Sequence, residues 1–297
     1  MRAVAGSRGA VVPHVHHRDT FAADAEPVLW VDQGEQFTVE ARSHLTEDAF
    51  HRLPITQLKI PVTGPVHVRG ALAGQVLRVQ VQDVQIADEG TMVTLPGRGG
   101  FTRTLAQSSR LVRISDGHVH FGDIRLPVRP MVGKLGVGVP GEAPSSSTVG
   151  AHGGNMDCTD VAVGSVVFLP VLVDGAMLYA GDLHARQADG EVSVTAVEVE
   201  GAVTLSCSVV PDLALARPVI LSRGNLITIA DGATLDDAVR TALDDMLELV
   251  VARQGWSHEE AAMFLSIAAD VGICQVVNPR VSAKVRLPVE YCDLGFS

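Results

Sequence analysis

The sequence predicts a mostly β chain, of α+β type, that closes on a pair of helices near its C-terminus. Aromatics make up only 4% of the 297 residues while hydrophobic residues make up 46%, so Val, Leu, Ile and Ala must build the core. The 29 Gly and 15 Pro punctuate the chain as short strands joined by tight turns require. Near residue 233 the apolar spacing changes from alternation to a helical period.

Residues 28–40, "VLWVDQGEQFTVE", alternate and turn at Gly34, which predicts a hairpin. Within 61–86, Val76, Arg78, Gln80 and Gln82 face one way and Leu77, Val79, Val81 and Val84 supply the apolar face of a half-buried strand. "LPGRGG" at 95–100 is a loop, and "VRISDGHVHFG" is a hairpin around Asp116-Gly117. The Gly-, Pro- and Ser-rich stretch 133–154 reads either as a linker or as an ordered loop lining a pocket. Residues 166–183 predict a further hairpin, turning at Asp174-Gly175. Then Leu235, Val239, Leu243, Met246, Leu247 and Val250 share one helical face, with Thr234 as a start and Gly255 as a stop. Ser257 to Glu260 forms a capping box for a second helix, and "ICQVV" and "VSAKVRLPVEY" return to strand. The division expected is an N-terminal β-rich region, 1–135, and a β-rich region 136–297 with the helices near 235–271.

A formal charge of −11 argues against a phosphate-binding surface, and so against nucleic acid. No run of 18 apolar residues predicts a membrane span, and the N-terminus lacks the apolar core of a secretory signal. Cys158, Cys207, Cys274 and Cys292 lie far apart, as reduced thiols of a cytoplasmic protein would.

The segment from Tyr179 to Gly201 gathers Asp182, His184, Gln187, Asp189, Glu191 and Glu198 into what otherwise reads as sheet. On a strand, Asp182 and His184 share a face and could offer a carboxylate oxygen and an imidazole nitrogen to one ion; a solvated strand end is the plainer alternative. Glu198 falls in register with Val192, Val194 and Ala196, where a carboxylate is costly to bury unless paired or metal-bound, or else it marks the strand's exposed end. Glu191 follows a turn-like "ADG" and is a candidate general base beside an activated water. Upstream, His152 and Asp157 could ligate, and Asn155 could donate to a developing oxyanion, although an Asx turn with a surface His explains the stretch as well. His14 and His16 could also bind a metal, but a mobile polar arm is the simpler reading so near the chain end. No GxSxG, HExxH or Walker motif is present, and Cys158 is the one thiol near the polar cluster.

The blocks "HGGNMD" (152–157), "GSVVFLPV" (164–171) and "GDLHARQADGEVSVTAVE" (181–198) together resemble the acetamidase/formamidase family. "TGPVHVRGALAGQVLRVQV" (63–81), "PVRPMVGKLGV" (127–137) and "ICQVVNP" (273–279) fit it in the same order. The resemblance implies hydrolysis of formamide, acetamide or a similar small amide substrate, and a divalent metal (Zn2+, with Ca2+ as an alternative); for an enzyme of this size a homo-oligomer is the expected assembly. The resemblance also implies a sandwich or jelly-roll-like β part beside a smaller barrel-like part. With it, Asp157, Asp182, His184 and Glu198 are expected to hold the metal and Glu191 to shuttle the proton. His152, Asn155 and Gln187 are expected to orient the carbonyl. Ala188 stands where the family more commonly has Gly, and 88–120 matches poorly. The alternatives are a hydrolase of a larger amide, carbamoyl compound or ester, and a non-catalytic β-sandwich binding a metal or carboxylate.

Overall fold

A computed structural model describes residues 9–43, 45, 60–292 and 294–296. Among them, nineteen strands join in one hydrogen-bonded sheet that curls into a half-barrel, and two helices follow near the C-terminus. The spine is the strand Val76–Thr94, paired antiparallel along most of its length with Glu198–Val210 and, near its start, with Val166–Pro170. Leu77, Val79, Val81 and Val84 point into the main core. Val81 and Val84 are three residues apart, yet both are buried. Thr204 pairs with Asp83 and Leu205 with Val81, so Gln82 is the extra residue of a bulge that resets the alternation.

The Asp116-Gly117 hairpin is present, linking Ser108–Ser115 to His118–Phe121 with both turn residues at positive φ, 52° and 71°. The other two expected hairpins are not. Leu29–Val31 pairs in parallel with Val62–Val68, whereas Gln36–Ala41 lies between Ala10–Val12 and Glu198–Val210. Likewise Val166–Pro170 pairs with Val219–Ser222, while Leu178–His184 turns away to Met131–Gly136 and Val62–Val68. At the Asp174-Gly175 turn the Asp174 carboxylate accepts from Ala73 N at 3.0 Å and Gly175 N donates to Ala71 O at 2.7 Å. Ala176 N donates to Val173 O at 3.0 Å, so the expected turn closes, but it is anchored to another loop and the strands on either side do not pair with each other. The histidine arm is also docked: His14–His16 forms a 3-10 turn, His14 lies 3.2 Å from Glu40, and His17–Arg18 pairs with Val62–Val68.

Helix α1, Leu235–Gln254, begins where Thr234 Oγ1 accepts from Asp237 N and stops at left-handed Gly255. Its buried stripe is Ala238, Ala242, Met246 and Val250, with Leu243 and Leu247 only flanking it. The small alanines let the helix approach the sheet closely enough for Thr228 Oγ1 to donate to Ala242 O at 2.7 Å. Helix α2, His258–Ala268, carries the expected Ser257–Glu260 capping box. Together the helices close a second core over Asn225–Gly232 and Val281–Pro288. Among the described residues no helix is long and apolar enough to cross a membrane.

Candidate active site

The strand Met131–Gly136 is buried on both faces and runs between Leu178–His184 and Gly153–Asn155. This arrangement brings the two polar blocks of the sequence to one place. The 133–154 stretch is accordingly an ordered wall, with Lys134, Ser147 and, just beyond it, Asn155 facing a cavity of about 360 Å3. Asp157, Asp182, Glu191, Glu198 and Asn278 complete its polar floor, and Leu45, Ile60, Val93, Leu95 and Val194 form an aliphatic wall.

Asp157, Asp182 and Glu191 all stand on left-handed backbone, with φ of 45°, 59° and 46°. Such positions each cost on the order of 1–3 kcal/mol and persist only where surrounding structure enforces them, typically at functional sites. Glu191 is the most telling of the three, because Asp tolerates that region better than Glu. Ala188, by contrast, takes an ordinary backbone conformation and is exposed, so lacking the more common Gly introduces no strain.

His184 is completely buried at the end of its strand. Gln187 fixes its tautomer: the Gln187 amide donates to Asp157 O at 2.7 Å, leaving Gln187 Oε1 to accept from His184 Nδ1 at 2.9 Å. Nε2 then faces Asp182 Oδ1 at 3.5 Å and Glu198 Oε2 at 3.2 Å. Lys134 Nζ donates to Ile60 O at 2.6 Å and lies 3.5 Å from Asp182 Oδ2; Asn278 Nδ2 donates to Asp157 Oδ2 at 2.9 Å.

Charge in this pocket is strongly uneven. Burial, then the neighbouring Asp182, pushes Asp157 up to about 7. Burial acts on Asp182 too, but the Lys134 ammonium and His184 outweigh it and hold that carboxyl far below the usual range. For Glu191 burial dominates, with the Asp157 charge adding to it, and its pKa rises well above normal. Burial also raises Glu198. His184 is driven up by Glu198 and Asp182 against the opposing effect of its own burial.

Three atoms test whether a metal ion suits these residues. Asp157 Oδ1, Asp182 Oδ1 and His184 Nε2 are buried without a hydrogen-bond partner, an arrangement that proteins avoid unless another group satisfies it. Potential ligand atoms of Asp157, His184 and Glu191, and of Asp182, His184 and Glu198, each fall within 4.8 Å of one another. Gly133 keeps space open between two of the carboxylates: a Cβ there would lie 2.8 Å from Asp157 Oδ1 and 2.9 Å from Asp182 Oδ2. Carboxylate oxygens with one imidazole nitrogen are a donor set that divalent cations accept, so the residues fit an ion.

Three expected site residues, His184, Gln187 and His152, lie outside the cavity lining. Gln187 is behind His184, as its hydrogen bonds require. His152 packs edge-on against Phe21 at 4.8 Å, and burial lowers its pKa to about 4, so the ring is neutral. It crowds the backbone just before Asn155, where a Cβ on Gly154 would come within 2.6 Å of His152 Nε2. Cys158 is fully buried and also absent from the lining. Glu198 reaches the site by a different route from the one its spacing suggests. Residues 191–197 lie outside any strand, with a turn at 192–193, Val192 is exposed, and the strand begins only at Glu198.

Sequence reasoning passed over Lys134, Asn278 and Lys284. The chain has three lysines, and Lys134 and Lys284 are both buried in or beside this centre. A Lys amid small apolar strand residues is a usable signal, since an ammonium is rarely buried unpaired. Lys284 Nζ lies 3.0 Å from Asp160 Oδ2 and 2.7 Å from Asp189 Oδ1, and Arg286 approaches Asp160 at 2.8 Å. Burial raises the Asp160 carboxyl, but Lys284 and then Arg286 outweigh it and hold its pKa below normal. A depressed carboxylate adds stability above its unfolded pKa of about 3.9, and that stability is lost as pH falls through the folded value. The melting temperature should therefore fall below about pH 4, and Asp160→Asn should flatten that acid limb in a thermal-melt series. An unchanged limb would remove Asp160 from the account.

A curled β sheet whose buried floor gathers carboxylates and one oriented imidazole under an aliphatic wall defines a β-rich protein with an enzyme-like polar centre. The acetamidase/formamidase family model matches residues 142–294. The chain is 36% identical to a recombinant predicted acetamidase/formamidase from the thermophile Thermoanaerobacter tengcongensis, with a TM-score of 0.91 over 96% of this chain and 97% of that one. It is 33% identical to an acetamidase from Bacillus halodurans, also at a TM-score of 0.91, over 96% and 99% of the two chains. A formamidase of Methylophilus methylotrophus is 29% identical over 162 residues, which are 47% of this chain and 40% of that protein. The chain belongs to the acetamidase/formamidase family.

Proposed function

We propose that the protein hydrolyses small linear amides to a carboxylate and ammonia, using a divalent ion held by Asp157, Asp182, His184 and Glu198. The observation carrying this reading is the convergence of three buried atoms without a hydrogen-bond partner: Asp157 Oδ1 and Asp182 Oδ1 on the cavity floor, with His184 Nε2 just behind them. An ion bound there supplies Lewis acidity, which polarises an amide carbonyl and makes water more acidic. The imidazole ligand favours Zn2+, while the carboxylate-rich remainder leaves Ca2+ as the alternative.

Glu191 moves the proton. Burial and the neighbouring Asp157 charge make its carboxylate a strong base, able to take a proton as water attacks the carbonyl carbon. The carboxyl then gives that proton to the amide nitrogen as the C–N bond breaks, so ammonia leaves with the carboxylic acid, which ionises to the carboxylate by losing its proton to ammonia or solvent. Lys134 places a buried positive charge on the cavity floor, where negative charge develops on the carbonyl oxygen. Asn155, whose Oδ1 has no partner, orients the amide group. Gln187 engages His184 Nδ1 and so turns Nε2 towards the carboxylates, and His152 shapes the turn that delivers Asn155 and Asp157. The aliphatic wall of Leu45, Ile60, Val93, Leu95 and Val194 receives the acyl group. Four unpaired buried cysteines support a reducing, cytoplasmic setting, and a homo-oligomer is the expected assembly.

Ammonia release from formamide, acetamide and propionamide, before and after chelation and with Zn2+ or Ca2+ restored, tests the reading. Chelation should abolish release and one of the two ions should restore it. Full activity in protein stripped of metal would overturn the metal centre. Absence of ammonia from metal-replete protein with all three amides would overturn the small-amide assignment.

A further inference from the structure

We infer that Lys284 is a positioning residue for this centre: its ammonium joins the two segments that deliver Asp157 and Glu191 and sets the spacing between them. The inference rests on the amidase reading above.

Lys284 lies inside the strand Val281–Pro288 and has no exposed surface. Its Nζ reaches Asp189 Oδ1 at 2.7 Å, Asp160 Oδ2 at 3.0 Å and Thr159 Oγ1 at 3.2 Å. Three acceptors match the three N–H donors of an ammonium, so the group is saturated where it stands. Thr159 and Asp160 follow Asp157 by two and three residues, and Asp189 precedes Glu191 by two. Thr159 Oγ1 also donates directly to Asp189 Oδ1 at 2.7 Å. Lys284 thus holds both segments at a common point.

Asp157 and Glu191 leave their segments on left-handed backbone, outside regular strand, so no ladder fixes the direction of either side chain. Gly190 N donates to Cys274 O at 2.9 Å and Val276 N donates to Gly190 O at 3.0 Å. Those bonds fix the Glu191 segment to the strand Asp270–Gln275, but neither reaches the segment after Asp157. Among the described residues, the Thr159–Asp160–Asp189–Lys284 cluster, flanked by Arg286, spans the two, alongside the bond from the Gln187 amide to Asp157 O at 2.7 Å. Lys284 is absent from the cavity lining, so its influence on the reaction passes through the placement of Asp157 and Glu191.

The test separates placement from simple neutralisation of buried charge. Lys284→Met should lower kcat for the best amide about 10²-fold, the scale of an ångström-level misplacement, with KM changed less than threefold. Hydrogen–deuterium exchange in 157–160 and 186–191 should rise. The triple variant Lys284→Met, Asp160→Asn, Asp189→Asn removes the unpaired carboxylates; it should recover melting temperature but not kcat. Recovery of both would overturn the inference, as would wild-type kcat in Lys284→Met. If Lys284→Met does not fold, Lys284→Arg keeps the charge and changes the geometry: a lowered kcat supports the inference and an unchanged kcat overturns it. If the wild-type protein releases no ammonia from any amide, the amidase reading fails by itself. Exchange then decides the positioning claim, and unchanged protection of 157–160 and 186–191 in the variants overturns it.

Discussion

Glu191→Gln is expected to lower kcat by about 10²–10⁴-fold, the usual contribution of a positioned general acid–base group. Metal content and melting temperature should stay near wild type. Gln matches Glu in shape, so the left-handed backbone at Glu191 and the flanking Gly190 contacts are retained. The amide cannot take a proton from water and return it to nitrogen. It also removes a buried carboxyl next to Asp157, which relieves repulsion between the two. Folding should therefore hold or improve while turnover collapses, and that pairing separates lost chemistry from a damaged fold. KM should change little, since the side chain acts on the transition state. Turnover within threefold of wild type would take the proton-shuttle role away from Glu191, whatever the metal content.

Features encoded by neighbouring residues were the ones legible in the sequence. Thr234, Gly255 and the Ser257–Glu260 box mark helix ends because each cap is satisfied within a few residues, and the structure keeps all three. The Asp116-Gly117 hairpin is equally local. Strand partners are not: alternation identified residues 28–40 and 166–183 as extended, yet their partners come from distant parts of the chain. The polar centre divides in the same way. Asp182, His184, Glu191 and Glu198 fall within a single block, and the structure brings them together with Asp157. Lys134, Asn278 and Lys284 arrive singly on other strands and loops, so only tertiary pairing connects them to the block. Even Glu198, which lies in the cluster, was placed by a strand register that does not exist before it.

Gly133→Ala should leave the protein folded yet unable to hold its ion. Gly133 is not among the residues at positive φ, so Ala can adopt its backbone, and replacing an interior strand Gly ordinarily helps stability. Here the added methyl would enter the space shared by the two carboxylates, 2.8 Å from Asp157 Oδ1 and 2.9 Å from both Asp182 Oδ2 and Asp182 O. The Asp182 carbonyl is main chain of the strand Leu178–His184, so that strand must shift locally while the two carboxylate side chains yield. Overpacking of this kind costs about 1–3 kcal/mol, and the movement that relieves it separates Asp157 Oδ1 from Asp182 Oδ1. Metal measured by elemental analysis after dialysis should fall well below one equivalent, and kcat/KM should drop at least about 10²-fold, the scale of an ångström-level misplacement. Glu191→Gln is the useful contrast, since it should lose turnover with its metal in place. If Gly133→Ala instead retains full metal and loses only turnover, the ion is not held between Asp157 and Asp182, and Glu198 with His184 becomes the better ligand pair.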